Sequence, residues 1–156
     1  MAMAKQDEVR DRIAKAADIL IGQGVATKST INGCSAKEIE EVEVDVEQPL
    51  PLAYRQFLAT MGRGAGRFFV GTDLFFPGVI GNTEAAHELV AEDKSGLALP
   101  KDAIAFMMHQ GYQFMFIRAD EGDDPPVYHY IEQSGEFAKK AEKLTQFLID
   151  VAHDDW

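Results

Sequence analysis

His109 and His129, with the carboxylates of Asp120, Asp123 and Asp124, are the residues of this chain whose types could do chemistry. Imidazole beside carboxylate can hold a divalent metal or work as an acid–base pair. Their spacing matches no metal signature, and His87 and His153 do not complete one. The simpler expectation puts His129 on a sheet surface with its ring hydrogen-bonded and His109 at a hairpin, with no metal and no cofactor. Cys34 is the single cysteine. It sits before a helix, where a thiol pKa falls, and could attack a substrate with a distant histidine. Nothing around it suggests an oxyanion hole, so a structural thiol is expected. One thiol also excludes an intramolecular disulfide and a thiolate zinc cluster.

Two further sets could bind rather than catalyse. Tyr112, Tyr128 and Tyr130 with the two histidines could line a concave binding face, since tyrosine buries area at low entropic cost. Equally, they could fill the layer between sheet and helix. Gly62, Gly64 and Gly66 lie near Arg63 and Arg67, but phosphate cradles follow a strand and open a helix. These glycines follow a helix and precede an expected strand, so they read as a cap and turn.

The elements that must position these residues can be read from periodicity. Asp7 to Ile21 is helical, with Val9, Ile13, Ala16, Ala17 and Leu20 at helical spacing and Gly22 and Gly24 at its end. Val25 to Asn32 reads as a linker. Ser35 to Glu38 is a capping box opening a second helix. Its buried stripe is Ile39, Val42 and Val46. Its other face is dense in carboxylates, among them Glu40, Glu41 and Glu43. Pro49 and Pro51 end that helix and start a third, striped by Tyr54, Phe57, Leu58 and Met61. Arg67 to Val70 and Leu74 to Ile80 read as short strands. Asn82-Thr83-Glu84 caps a helix running to about Asp93.

Ala103 to His109 and Tyr112 to Arg118 read as a hairpin of strands apolar on both faces, which belong mid-sheet. Ile104, Phe106 and Met108 share one face of the first. Asp120 to Pro126 is an acidic turn, Val127 to Ile131 another strand, and Ser134 opens a final helix through Phe137, Ala141, Leu144, Leu148 and Val151. Trp156 frays or tucks back as an anchor. Helices followed by mainly antiparallel strands define an α+β fold, a central sheet flanked by helices. Residues 1–32 form an N-terminal helix and linker, and residues 33–156 a single globular unit.

With 156 residues, 46% of them hydrophobic and 26% charged, the chain has the material for one domain with a real core. Its net charge of -11 argues against nucleic-acid binding, which needs clustered Lys and Arg. The same charge suits a basic partner, though many acidic proteins are simply soluble. No signal-like or membrane-length apolar run is present, so the cytoplasm is the expected compartment and no membrane partner is expected.

Three pieces of the chain resemble the SUKH superfamily, the Smi/Knr-type domain. One is Gly33-Cys34-Ser35 followed by Glu38-Ile39 and Glu41. The second is Leu50-Pro51-Leu52-Ala53-Tyr54-Arg55-Gln56-Phe57-Leu58 with the Gly62-Arg63-Gly64 stop. The third is Gly111-Tyr112-Gln113-Phe114 followed by Asp124-Pro125-Pro126-Val127-Tyr128-His129-Tyr130. Relatives often carry a tryptophan in the central strands, where this chain has none. The resemblance implies an antiparallel sheet with flanking helices and a non-catalytic role. Bacterial relatives look like immunity proteins that neutralise toxins by binding, and fungal ones like regulatory scaffolds. On that basis the expected partner is a cognate protein toxin, basic in charge. Glu40, Glu43, Asp120, Glu121, Asp123 and Asp124 would steer it, and Tyr112, Tyr128 and Tyr130 would anchor it. A regulatory scaffold is the alternative, and a small metal-dependent hydrolase built on the histidines a weaker one.

Overall fold

A computed structural model describes residues 2–93 and 95–154; Trp156 lies outside them. In chain order the described elements are α1 (Ala2–Gly22), β1 (Ile31–Asn32), α2 (Ala36–Val46), α3 (Leu52–Met61), β2 (Gly64–Ala65), α4 (Asn82–Glu92), β3 (Ala103–His109), β4 (Gln113–Arg118), β5 (Val127–Ile131), β6 (Ala138–Ala141) and α5 (Leu144–Asp154). β3 to β6 form one antiparallel sheet in sequence order, and β1 pairs with β2 in a small second sheet. The fold is α+β, as the order of elements in the sequence requires.

Both faces of the main sheet are apolar, and each has its own cover. Ile104, Phe106, Met107, Met115, Ile117 and Val127 pack with residues of α1, α2, α3 and α5 in one cluster. Ala105, Met108, Phe114, Phe116 and Tyr130 pack with Ala86 and Val90 of α4, and with Phe137, in the other. A bulge in β3 sets this division. Ala105 pairs with Phe116, but Met107 pairs with Met115, so Phe106 is the extra residue. The alternation slips by one there. Met108 therefore turns to the α4 face, away from Ile104 and Phe106, contrary to the simple alternation expected from the sequence. The free edge of β3 is met at the bulge by Thr83, whose Oγ1 accepts the Ala105 amide at 3.0 Å.

The helices form for readable reasons. At α2 the Ser35 Oγ accepts the Glu38 amide at 3.2 Å, and a Glu38 oxygen accepts the Ser35 amide at 2.9 Å. That is the reciprocal box the sequence calls for. The α3 stripe of Tyr54, Phe57, Leu58 and Met61 is buried throughout. Gly33 lets the chain pass over this helix, because a Cβ there would lie 1.9 Å from the Ala59 carbonyl oxygen. In α1, Val9, Ile13, Ala16, Ala17 and Leu20 are all buried in the main core. Arg12 fixes α1 to α5 by donating from Nε to Thr145 Oγ1 at 2.8 Å.

Three segments differ from the sequence expectation. Arg67 to Val70 and Leu74 to Ile80 are turns rather than strands. Their amides are satisfied locally, Phe68 by Ala65 at 3.1 Å and Thr72 by Phe69 at 3.2 Å, while Phe68, Phe69, Leu74 and Val79 point into the core. The final helix starts at Leu144, not Ser134, because Ala138–Ala141 pairs with the edge of β5. Phe137 serves the α4 face while Leu144 and Leu148 serve the opposite one. One straight helix cannot cover both.

The packing of α1 gives a direct stability test. Ile13→Ala should lower unfolding free energy in urea by about 2–5 kcal/mol. Tyr54 provides the opposite case, since its buried hydroxyl has no hydrogen-bond partner among the described residues. Tyr54→Phe should leave stability unchanged or raise it by about 1 kcal/mol, because no bond is lost; a large loss would mean that the hydroxyl is satisfied.

Candidate functional site

The histidines and the acidic turn are not brought together. His109 pairs with Gln113 at the start of β4, whereas Asp120 to Asp124 follow Arg118 at its other end. Five strand steps separate Gln113 from Arg118, or roughly 17 Å at the rise of a β-strand. His129 bonds through Nε2 to Gln113 Oε1 at 2.8 Å. The His109 ring meets the edge of Tyr112 with centroids 5.6 Å apart. Burial, reinforced by the charge of Lys140, holds the His129 pKa below its usual value. A hollow of about 290 Å³ beside His129 is lined by Met115, Lys140, Phe147, Asp150 and Asp154, and among the described residues no carboxylate is bonded to the ring. Among the described residues no cluster of three metal-ligating side chains occurs.

Cys34 follows the same pattern. The helix start would lower its pKa, but burial dominates and pushes the thiol up to about 11, with Glu38 adding to the rise and Arg63 opposing it. Its amide donates to Leu58 O at 2.8 Å, and a Cβ on Gly62 would lie 2.6 Å from its sulfur. It is a packing residue at the α2–α3 joint.

Most carboxylates expected to face a partner are engaged within the chain. Glu43 pairs with Arg55 and accepts the Leu50 amide at 3.1 Å. Asp120 bonds to Asp102, which raises its pKa, and lies 3.9 Å from Arg118. Glu121 accepts the Tyr128 hydroxyl at 3.0 Å. Asp123 is exposed and lies 3.8 Å from Lys5, and its carbonyl accepts the Ala53 amide at 2.8 Å. Asp124 caps α5, taking the Thr145 amide at 3.0 Å and the Thr145 hydroxyl at 2.5 Å.

The tyrosines divide. Tyr112 is 37% exposed. Tyr128 is half-buried, stacked on Phe116 with centroids 5.2 Å apart. Tyr130 is buried completely and donates to Asp93. Tyr128 and Tyr130 thus lie in the layer between sheet and α4.

What remains open is the outer face of α2. Glu40 and Glu41 are exposed there and form no ion pair among the described residues. Between the carboxylates stands Val44, 70% exposed. Asp45 reaches across to accept the Gly81 amide at 3.1 Å, which brings Ile80, itself 39% exposed, and the start of α4 onto the same surface. A groove of about 530 Å³ runs between the end of α2 and α4. Val44 was legible in principle: it is rotated about 200° from Val42 on a helix, off the stripe of Ile39, Val42 and Val46. Ile80 carried no such signal, because its place depends on the Asp45–Gly81 bond.

The fold and this surface define a sheet-based α+β domain with an open acidic helix face. A family model described as SMI1-KNR4 cell-wall matches residues 36–148, and the chain belongs to that SUKH family. No curated protein compared with the chain matches it. No helix among the described residues is long and apolar enough to cross a membrane.

The Cys34–Glu38–Arg63 group gives a pH test. Hydrogen bonding from Arg63, helped by the Ser35 amide, lowers Glu38 from 4.5 to about 2. A depressed carboxylate stabilises the fold fully above the ordinary glutamate range and loses that contribution as pH falls toward 2. Arg63→Ala should return the Glu38 carboxyl titration, followed by carbon NMR, toward 4.5. At pH 8 Cys34 should react with a disulfide reagent far more slowly than an unhindered thiol. A fast reaction would mean that burial does not control it.

Proposed function

We propose that this protein is a non-catalytic binder of immunity type, neutralising a cognate toxin by covering it, and that α2 faces the partner. The observation that carries this reading is Val44, an apolar side chain 70% exposed on a helix face whose neighbours Glu40 and Glu41 are unpaired among the described residues. An apolar knob beside two carboxylates, with Lys37 at the edge of the same patch, suits a basic protein surface. The knob supplies area that water leaves on contact, and the charges speed encounter and reject acidic surfaces. Family membership supports the reading. So does the net charge of -11, because a partner of opposite sign is attracted over the whole surface. Its compartment would be the cytoplasm, and its partner a basic protein toxin rather than a nucleic acid.

The acidic turn has a smaller part here than its composition suggests. Asp124 and Glu121 hold α5 and Tyr128 in place, so Asp123 and Asp120 are left to add long-range field. The test is co-expression with a toxin encoded beside the gene. The wild-type chain should bind the toxin and restore growth. A Glu40→Lys, Glu41→Lys, Val44→Asp variant with unchanged circular dichroism should bind roughly 30-fold more weakly or worse. Salt should slow association of the wild type more than that of the variant. Undiminished protection by the variant would remove α2 from the interface. Binding without protection would favour a regulatory scaffold.

A further inference from the structure

We infer that the groove between the C-terminal end of α2 and the start of α4 receives a basic side chain, arginine or lysine, carried on a surface segment of the protein partner. This rests on the reading of the protein as a toxin binder and names the subsite that the partner would occupy. The groove holds about 530 Å³, within the range of ordinary ligand pockets and ample for one extended side chain. Asp45, Glu47 and Glu84 line it against Lys101 and the imidazole of His87.

A second feature adds to the carboxylates. The carbonyl end of α2 opens at this groove. A helix end of that polarity attracts cations, and α2 has no basic residue in its last turn to supply one. Glu47, the C-cap, holds a left-handed conformation with φ of 57° and places its own carboxylate at the rim. The amino end of α4, which would repel a cation, is already answered. Asp45 accepts the Gly81 amide at 3.1 Å, and Glu84 stands in the first turn of α4. At the α2 end the Glu47 amide bonds the Glu43 and Val44 carbonyls, at 3.1 and 3.3 Å, but no cation answers that pole, and three carboxylates against Lys101 leave the groove a net preference for positive charge. Val44 and Ile80, exposed beside it, give the same segment apolar contacts. The occupant is thus amphipathic, with a cation seated between the helices and aliphatic neighbours on the two exposed side chains.

The test uses the isotopically labelled full chain and a short blocked peptide of arginine and leucine, with a glutamate–leucine peptide as control. Amide shifts should gather at residues 44–48 and 80–87 with the first peptide and not with the second. Glu47→Lys with Glu84→Lys, at unchanged circular dichroism, should weaken peptide binding roughly tenfold, while Glu121→Lys changes it by less than roughly twofold. Shifts centred on residues 120–124, or equal binding of both peptides, would overturn the inference. The same variants against the co-expressed toxin separate the two levels. If Glu40→Lys, Glu41→Lys, Val44→Asp abolishes protection but the groove reversal does not, the toxin-binding role stands and the subsite falls. If neither matters to the toxin, both fall.

Discussion

A sheet whose strands are apolar on both sides can persist in water only if something covers each side. In β3 and β4, Ile104, Met107, Met115 and Ile117 face one way and Ala105, Met108, Phe114 and Phe116 the other. Transfer of these side chains out of water is the largest favourable term available to a chain of this size. The rest of the architecture follows from that demand. α1, α3 and α5 close one side, and α4 with Phe137 closes the other. Of the connections that carry the chain between sides, residues 67–81 are irregular, and residues 132–143 include the edge strand β6.

Covering both faces also disposes of the polar groups. The segments that cross the edges need their backbone and ends satisfied, and the acidic side chains near them do that work. Asp124 caps the start of α5, Asp93 takes the Tyr130 hydroxyl and the Gln133 amide, and Asp102 takes Arg118 and the Asp120 amide. These carboxylates hold the scaffold together and are poorly placed to meet a partner. α2 packs by only one narrow stripe on α3, so its outer face is not used by the fold. Glu40 and Glu41 on that face form no ion pair among the described residues.

Much of this was legible in the sequence. The capping box at Ser35, the α3 stripe, the apolar hairpin of β3 and β4 and the buried set on α1 all follow from residue spacing, because each depends on neighbours within one turn or one strand pair. The misreadings share a cause. Arg67 to Val70 and Leu74 to Ile80 are rich in strand-forming residues, but their aromatic and aliphatic side chains are needed in the core at positions a strand would not reach. Phe137 and Leu144 fit one helical stripe, yet they belong to opposite sides of the sheet. The β3 bulge, which moves Met108, is set by pairing across the sheet and leaves no local mark.

The site was only partly legible, for the same reason. Charge on α2 could be read directly, and Glu40 is where the sequence places it. The engagement of Asp124, Glu121 and Glu43 could not, since their partners lie between 7 and 21 residues away. The burial of Tyr130 was one of two readings that the spacing of the tyrosines left open. The most direct measurement is hydrogen–deuterium exchange on a complex with the proposed toxin partner. The outcome expected is slowed exchange over residues 36–48 and 80–87, with the 120–126 turn unchanged. Slowing confined to that turn or to the β5–β6 edge, with α2 exchanging as in the free chain, would contradict the central claim.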